Sequence, residues 1–219
     1  MTQTLTQLVA SVQAMLIDDG TRFTTATCTA AIREALKTWN CYMPVNAATR
    51  IDTVADQKDY ELSDEVDAST ALDITDILEY DTDGDDHEPI PFHQWTEDER
   101  IWFRIKTPVT PGAGGEILAR YTQPHTISGL DSAAESTLSA FYDTILVKGA
   151  AGEACAIRSR ARTETINLQD SVTINYGALA KELKTEYMAD LMKLAKKNNM
   201  PTSAPDTSAW DDKYHGWDQ

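Results

Sequence analysis

Residues 149–156 read Gly-Ala-Ala-Gly-Glu-Ala-Cys-Ala, and residues 168–194 carry apolar side chains at steps of three and four. The first run lies in a predicted helix that opens at Ser132, where Ser-Ala-Ala-Glu fits a capping box. The second lies in a predicted helix from about Asn167 to Asn198, because this spacing places one stripe on one helical face. The stripe consists of Leu168, Val172, Tyr176, Leu179, Leu183, Tyr187, Leu191 and Leu194. Residues 132–198 are therefore predicted to be a scaffold of two long helices joined by a short polar link.

This helix pair is expected to pack closely, because small side chains let helix axes approach one another. Helices this long leave apolar surface that one copy does not cover, which suggests side-by-side association with further copies. The predicted contact residues, within the chain or between copies, are Gly149, Gly152, Leu183, Tyr187 and Leu191.

The acidity of the chain is concentrated in its middle. The net charge is −16 over 219 residues, and residues 52–99 hold 18 acidic residues and a single base, Lys58. Such a surface argues against wrapping nucleic acid as a primary task, since phosphate binding relies on Lys and Arg. The acidity of residues 52–99 is explained equally well by a need for solubility and by a charged functional surface. With no run of 18 apolar residues, no membrane span is predicted.

An N-terminal helical hairpin is predicted at residues 1–44. Its first helix covers about residues 4–17, and its second follows an N-cap at Thr24 and ends at Pro44. Short alternating segments follow and predict one small antiparallel sheet. Its strands are expected at residues 50–54, 60–62, 71–80, 101–105 and 116–121, with a turn at 81–86 and a loop at 108–115. The predicted fold class is α+β: a four-helix bundle-like domain with an inserted β domain.

The last twenty residues, 200–219, show no helical or strand period, yet they contain Trp210, Tyr214 and Trp217 among Asp, Ser and Pro. Aromatic side chains in a polar segment of this kind are typical of a peptide that docks on a partner. These three residues are the predicted docking anchors.

Known catalytic motifs are absent, and no enzyme, cofactor or metal site is predicted. The run Asp-Thr-Asp-Gly-Asp at residues 81–85 has glycine at position four, whereas a calcium loop needs it at position six, so a turn is favoured over a weak surface cation site. Arg158, Arg160 and Arg162 are interpreted as closing a helix, with DNA or an acidic neighbour as the alternative. Cys28, Cys41 and Cys155 are predicted to be small buried residues in a reducing cytosol.

The order of these parts resembles the head–tail adaptor (connector, or head-completion) proteins of tailed bacteriophages. Three stretches carry the resemblance: the helix pair at residues 5–43, the run Ile-Asp-Thr-Val-Ala-Asp-Gln-Lys-Asp-Tyr-Glu-Leu at residues 51–62, and the closing helix pair. The middle run is similar to the strand–turn–strand pattern i-x-t-v-a-g-q-x-x-Y-x-L-p of the family. Asp56 stands where that pattern has a turn glycine, and Ser63 where it has proline.

The resemblance implies a structural protein of the virion neck, assembled in the host bacterial cytoplasm. The protein would form a ring, typically of twelve copies, beneath the portal, link the DNA-filled head to the tail, and let viral DNA pass. The domains would then be residues 1–44, the β domain 45–130, the long helix pair 131–199, and a portal-docking tail at 200–219. Acidic side chains would repel the passing DNA; they are Asp73, Asp76, Asp81, Asp83, Asp85 and Asp86.

Two alternatives stay open. One is a tail-proximal neck or tail-completion protein that never meets the portal, and the other is a cytosolic acidic protein that mimics DNA.

Overall fold

The computed structural model describes residues 3–18, 20–62, 73–80, 89–97, 100–106, 115–164 and 175–198. Over these residues the chain is an α+β protein with four α-helices and two three-stranded antiparallel sheets. The helices are α1 (Leu5–Met15), α2 (Thr25–Tyr42), α3 (Asp143–Glu164) and α4 (Tyr176–Asn198). The strands are β1 (Val45–Asp52), β2 (Asp59–Glu61), β3 (Asp73–Tyr80), β4 (Phe92–Glu97), β5 (Arg100–Ile105) and β6 (Glu116–Gln123). The predicted α+β class is confirmed.

The two N-terminal helices begin at side-chain caps. The Thr4 N–H donates to Gln7 Oε1 at 2.9 Å, and the Gln7 N–H donates back to Thr4 Oγ1 at 3.4 Å, which is a capping box. At α2 the Thr27 N–H donates to Thr24 Oγ1 at 3.3 Å, as predicted for an N-cap. Gly20, in the connection between these helices, has a φ of +89°, a conformation that costs glycine little.

The predicted helix start at Ser132 is wrong. Ser132 has a φ of +67°, outside the helical region, and α3 begins at Asp143 after a 3₁₀ turn at Ala140–Tyr142. Residues 126–137 instead form a loop that is closed by hydrogen bonds between Thr126 and Thr137. The Thr126 N–H donates to Thr137 Oγ1 at 2.8 Å, and the Thr137 N–H donates to the Thr126 carbonyl at 3.0 Å. Hydroxyl side chains offer the backbone these local alternatives to a helix, and here the alternative prevails.

The last helix begins at Tyr176. Asn175 caps it, because its Oδ1 accepts the Ala178 N–H at 3.0 Å. The predicted start near Asn167, with Leu168 and Val172, lies outside the described residues, as do the predicted turn at 81–86 and most of the loop at 108–115.

The predicted single sheet is two sheets. Sheet A has the order β1-β6-β3 and sheet B the order β2-β5-β4. β1 and β2 are consecutive in the chain, but they pair with different partners and so belong to different sheets. β4 was not predicted as a strand: prolines precede it, and its residues do not alternate cleanly between apolar and polar.

The inner faces of the two sheets share one hydrophobic core. Alternation along β5 places Ile101, Phe103 and Ile105 in this core and leaves Arg100, Trp102 and Arg104 on the outer face. From sheet A, Ile74, Ile77, Ile117, Ala119 and Tyr121 join the core, and Tyr60 and Leu62 join it from the β2 region.

Two compact units divide the chain. One comprises Met1–Gln7 and Leu36–Phe141 and contains both sheets, and the other comprises Leu8–Ala35 and Tyr142–Gln219 and contains α3 and α4. Within the described ranges, no helix is both long and apolar enough to cross a membrane.

Candidate interaction surfaces

The closest approach between helices in the second unit occurs at Gly149 of α3. A Cβ placed on this residue would lie 2.9 Å from three ring atoms of Tyr187 in α4. Tyr187 is 3% exposed, and its hydroxyl donates to the Ala35 carbonyl of α2 at 2.8 Å. The ring therefore rests on glycine while its hydroxyl is held at the far end, so it has little freedom to move away.

Gly152, one turn later in α3, faces the preceding turn of α4. A Cβ there would lie 3.0 Å from Lys184 Cγ, 3.2 Å from the Lys184 backbone nitrogen and 3.2 Å from Leu183 Cβ. Leu191 is fully buried in the same helix. The five residues predicted to mediate close packing thus lie in α3 and α4, and Tyr187 and Leu183 of the same chain cover the two glycines. The glycine face needs no second copy to cover it.

Ion pairs flank this contact. Lys148 Nζ lies 2.7 Å from Asp190 Oδ2 and 3.2 Å from Glu186 Oε2, and Lys184 Nζ lies 2.7 Å from Glu153 Oε1. The hydrogen bond to Asp190, and after it the one to Glu186, raises the pKa of Lys148, although partial burial opposes the shift. These ion pairs join α3 to α4 beside the Gly149 contact.

A second surface lies on the outer face of sheet B, and we call it the aromatic face: His93, Trp95, Trp102 and Arg104. Trp95 and Trp102 are cross-strand partners, with ring centroids 6.3 Å apart and planes at 18°. His93 also stacks on Trp95, with centroids 6.4 Å apart and planes at 24°, and the guanidinium carbon of Arg104 lies 6.0 Å from the Trp95 ring centroid. Both tryptophans are half-buried, whereas His93 and Arg104 are exposed.

Ion pairs border the aromatic face along β2. Arg104 holds Asp59 with two bonds, Nε to Oδ1 at 2.5 Å and Nη2 to Oδ2 at 2.6 Å, and Arg100 Nη1 lies 2.9 Å from Glu61 Oε1. The hydrogen bond from Arg104 lowers the pKa of Asp59. Sequence reasoning missed this surface because the register between β4 and β5 alone brings the two tryptophans together. The spacing of His93 and Trp95, two residues apart, was a weak signal within a segment that does not alternate cleanly.

The predicted acidic surface is described only in part. Asp73 and Asp76 are exposed on β3, at the edge of sheet A. Asp76 pairs in register with Arg120 of β6, and both line a shallow groove of about 560 Å³. The other groove-lining residues are Asn46, Ala47, Ala48 and Thr75. Asp81, Asp83, Asp85 and Asp86 lie outside the described residues, as do the tail residues Trp210, Tyr214 and Trp217.

The cysteines are all free, and they do not share one environment. Cys28 and Cys155 are buried as predicted, and burial raises the pKa of Cys155 to about 11. Cys41 is exposed, so the prediction is wrong there. This residue lies in the last turn of α2, on the side away from the buried Trp39.

His125, one of the four histidines of the chain, is half-buried. The backbone N–H of His125 donates to Asn40 Oδ1 at 2.8 Å, and its ring Nδ1 lies 3.1 Å from Thr137 Oγ1. Burial lowers the pKa of the imidazole. No group of three or more His, Cys, Asp or Glu side chains in the described residues is placed to hold a metal ion. In the arginine triplet, Arg158 is half-buried and Arg160 exposed. The side chain of Arg162 lies outside the description.

Comparisons with known proteins find weakly similar chains in solved structures of gene transfer agent particles. No protein-family model matches the chain, and no curated protein matches it. A chain from the neck of an empty gene transfer agent (GTA) particle, computed with C6 symmetry, is 11% identical with a TM-score of 0.29, covering 73% of this chain and 78% of that one. A chain from a native GTA virion is 12% identical with a TM-score of 0.32, covering 83% and 89%. A chain from the neck of a native GTA particle, computed with C12 symmetry, is 14% identical with a TM-score of 0.28, covering 85% and 92%. Similarity this low decides neither the fold nor the function of the present chain.

Proposed function

We propose that the chain is a structural subunit of a phage-type virion neck: the head–tail adaptor that forms a ring beneath the portal. In this role it links the DNA-filled head to the tail and lets the DNA pass. Residues 1–44 and 131–199 would supply the helical part of each subunit, residues 45–130 the β part, and residues 200–219 the portal-docking tail.

One observation carries the proposal: the adaptor-like run at residues 51–62 has a structural reason at four of its characteristic positions, Thr53, Asp56, Tyr60 and Leu62. Asp56, where the family pattern has glycine, has a φ of +63°, the left-handed conformation that glycine adopts most easily. The Tyr60 hydroxyl donates to the Gln57 carbonyl at 3.0 Å and so closes this turn. Thr53 Oγ1 donates to the Gly115 carbonyl at 2.9 Å, and Leu62 is buried in the core shared by the sheets.

The order of elements supports the same proposal. Two helices, a set of short strands and two long helices follow one another, as the resemblance requires. α3 and α4 have 22 and 23 residues, or roughly 33–35 Å at 1.5 Å per residue. Packed closely at Gly149, they would form the helical part of a ring subunit.

The acidic residues have a role in this proposal as a DNA-repelling surface. Asp73 and Asp76 are exposed, and a carboxylate-lined channel would prevent phosphates from adhering during passage. A structure of the assembled ring with β3 on its outer rim would contradict this DNA-repelling role, but it would not contradict the adaptor role.

The decisive experiment uses particles assembled without this chain. An adaptor seals the head, so we expect heads that package DNA and then lose it, measured as nuclease-protected DNA per head. Stably filled heads without tails would instead indicate the tail-proximal neck protein.

Deleting residues 200–219 tests the docking tail separately. The truncated chain should keep its helical circular dichroism spectrum but fail to bind portal rings in a co-sedimentation assay. Normal incorporation of the truncated chain into particles would contradict the assignment of Trp210, Tyr214 and Trp217 as portal anchors.

A further inference from the structure

The aromatic face has the properties of a binding surface that the adaptor role leaves without an assigned partner. Trp and Arg are the residue types most enriched where protein interfaces concentrate their binding energy. Here the two stacked tryptophans and Arg104 form one continuous surface, supported from behind by the buried Phe103. We propose that this face binds residues 199–219 of a second copy of the chain.

The charge of the aromatic face makes it suited to an acidic segment. Asp59 and Glu61 already neutralise Arg104 and Arg100. Exposed Lys58 and Lys106 add positive charge at the end of sheet B where Arg104 and His93 lie, since the Ile105 N–H donates to the Lys58 carbonyl and Lys106 follows Ile105. Glu97, which accepts from the Trp95 indole N–H at 3.4 Å, lies at the opposite end of β4, beside Arg100. The excess of cations is therefore confined to the end of sheet B at Arg104 and Lys106, in a chain of net charge −16.

The segment at residues 199–219 has the complementary chemistry. Each of its tryptophans is followed directly by an aspartate, Trp210-Asp211 and Trp217-Asp218. Its acids outnumber its bases four to one: Asp206, Asp211, Asp212 and Asp218 against Lys213. An indole of the segment would stack on Trp95 or Trp102, and the neighbouring carboxylate would reach Lys106, since Asp59 already pairs with Arg104.

The segment is also long enough to reach another copy. Its 21 residues follow the last described residue of α4, Asn198, and an extended chain of that length spans at most about 70 Å. The same anchors are proposed to dock on the portal, so the two contacts exclude each other. The aromatic face would therefore hold the segment until the portal displaces it.

The test uses a fluorescein-labelled peptide of residues 199–219 and fluorescence anisotropy. The acceptor is the full chain carrying Trp210→Ala, Tyr214→Ala and Trp217→Ala, so that its own anchors do not compete. We expect saturable binding that weakens as salt rises, because the charged contacts are exposed. Adding Trp102→Ala to the acceptor should weaken binding about tenfold or more.

Two further variants keep the result decisive. Lys106→Glu is a surface change that leaves the aromatic stack in place, and it should also weaken binding. It therefore tests the proposal even if Trp102→Ala perturbs folding. Phe141→Ala removes a side chain that is 91% exposed elsewhere in the same unit, and it should change nothing. Binding that is absent at millimolar acceptor, or that Lys106→Glu leaves unaltered, overturns the proposal.

The identity of the second copy is tested with the unsubstituted chain. It should self-associate with rising concentration in analytical ultracentrifugation, and excess peptide should dissociate it. If the unsubstituted chain stays monomeric and still does not bind the added peptide, its own residues 199–219 occupy the aromatic face, and the second-copy assignment is overturned. None of these measurements involves a portal, so their failure and the failure of the adaptor role are separable.

Discussion

Replacing Gly149 with alanine measures how closely α3 and α4 approach. The added Cβ would lie 2.9 Å from three atoms of the Tyr187 ring, a distance that real Cβ atoms essentially never show. The ring has little room to retreat, because it is buried and its hydroxyl is bonded to the Ala35 carbonyl at 2.8 Å. The substitution therefore forces either the helices apart or the hydrogen bond to break.

The magnitude follows from two opposing effects. Overpacking a well-packed core by one methyl group costs about 1–3 kcal/mol. Removing glycine from a helix interior returns about 0.5–1 kcal/mol, because alanine loses less backbone entropy on folding. We expect a net loss of roughly 1–2 kcal/mol in the free energy of unfolding. For a chain of this size, that lowers the Tm by about 2–4 °C per kcal/mol.

The control variant is Gly177→Ala. This residue is exposed in the first turn of α4, and its Cβ would meet only Ser159 Oγ at 3.3 Å and Asn175 Oδ1 at 3.5 Å. Its Tm should stay unchanged or rise slightly, since the entropic gain is not offset by a ring.

A double-variant cycle examines the pinned ring itself. In a Tyr187→Phe background the ring is no longer held at Ala35 and can shift, so Gly149→Ala should cost less than in the parent. The assay is thermal and urea unfolding followed by circular dichroism. A Tm for Gly149→Ala equal to or above the parent's would refute the close approach of α3 and α4.

Three further predictions concern other residues. Cys41 should react with a thiol reagent in the native protein, and Cys155, fully buried with its pKa raised to about 11, should react only on unfolding; Cys41→Ser should abolish the native reaction. Asp56→Val should lower stability by about 1–2 kcal/mol and Asp56→Gly should not, since only the β-branched residue is strained at a φ of +63°. Arg104 lowers the pKa of Asp59, so their ion pair contributes its full stability above pH 3.8, the ordinary carboxyl pKa, and loses it as the pH falls through the lowered pKa. Asp59→Asn should therefore reduce the Tm at neutral pH and have no effect on it in acid.

Local sequence signals were sufficient to predict the N-terminal helices and most of the strands. Thr4 and Thr24 lie at helix starts, and their hydroxyls act on N–H groups three residues away, so their effect is readable from neighbours in the chain. Ser132 carried an equally good local signal, but the helix start predicted there was wrong. The loop that replaced the helix is closed between Thr126 and Thr137, and pairing over eleven residues leaves no trace in a four-residue motif.

The candidate surfaces depend on longer-range geometry. The sequence indicated that small residues at Gly149 and Gly152 permit a close helix contact, because side-chain size is a property of each residue alone. Tertiary structure decided which group fills the space, and it is Tyr187 of the same chain. Likewise the aromatic face exists only through the register of β4 with β5, which sets Trp95 beside Trp102. Register depends on the packing of whole strands against a shared core, and a single strand's sequence does not specify its partner.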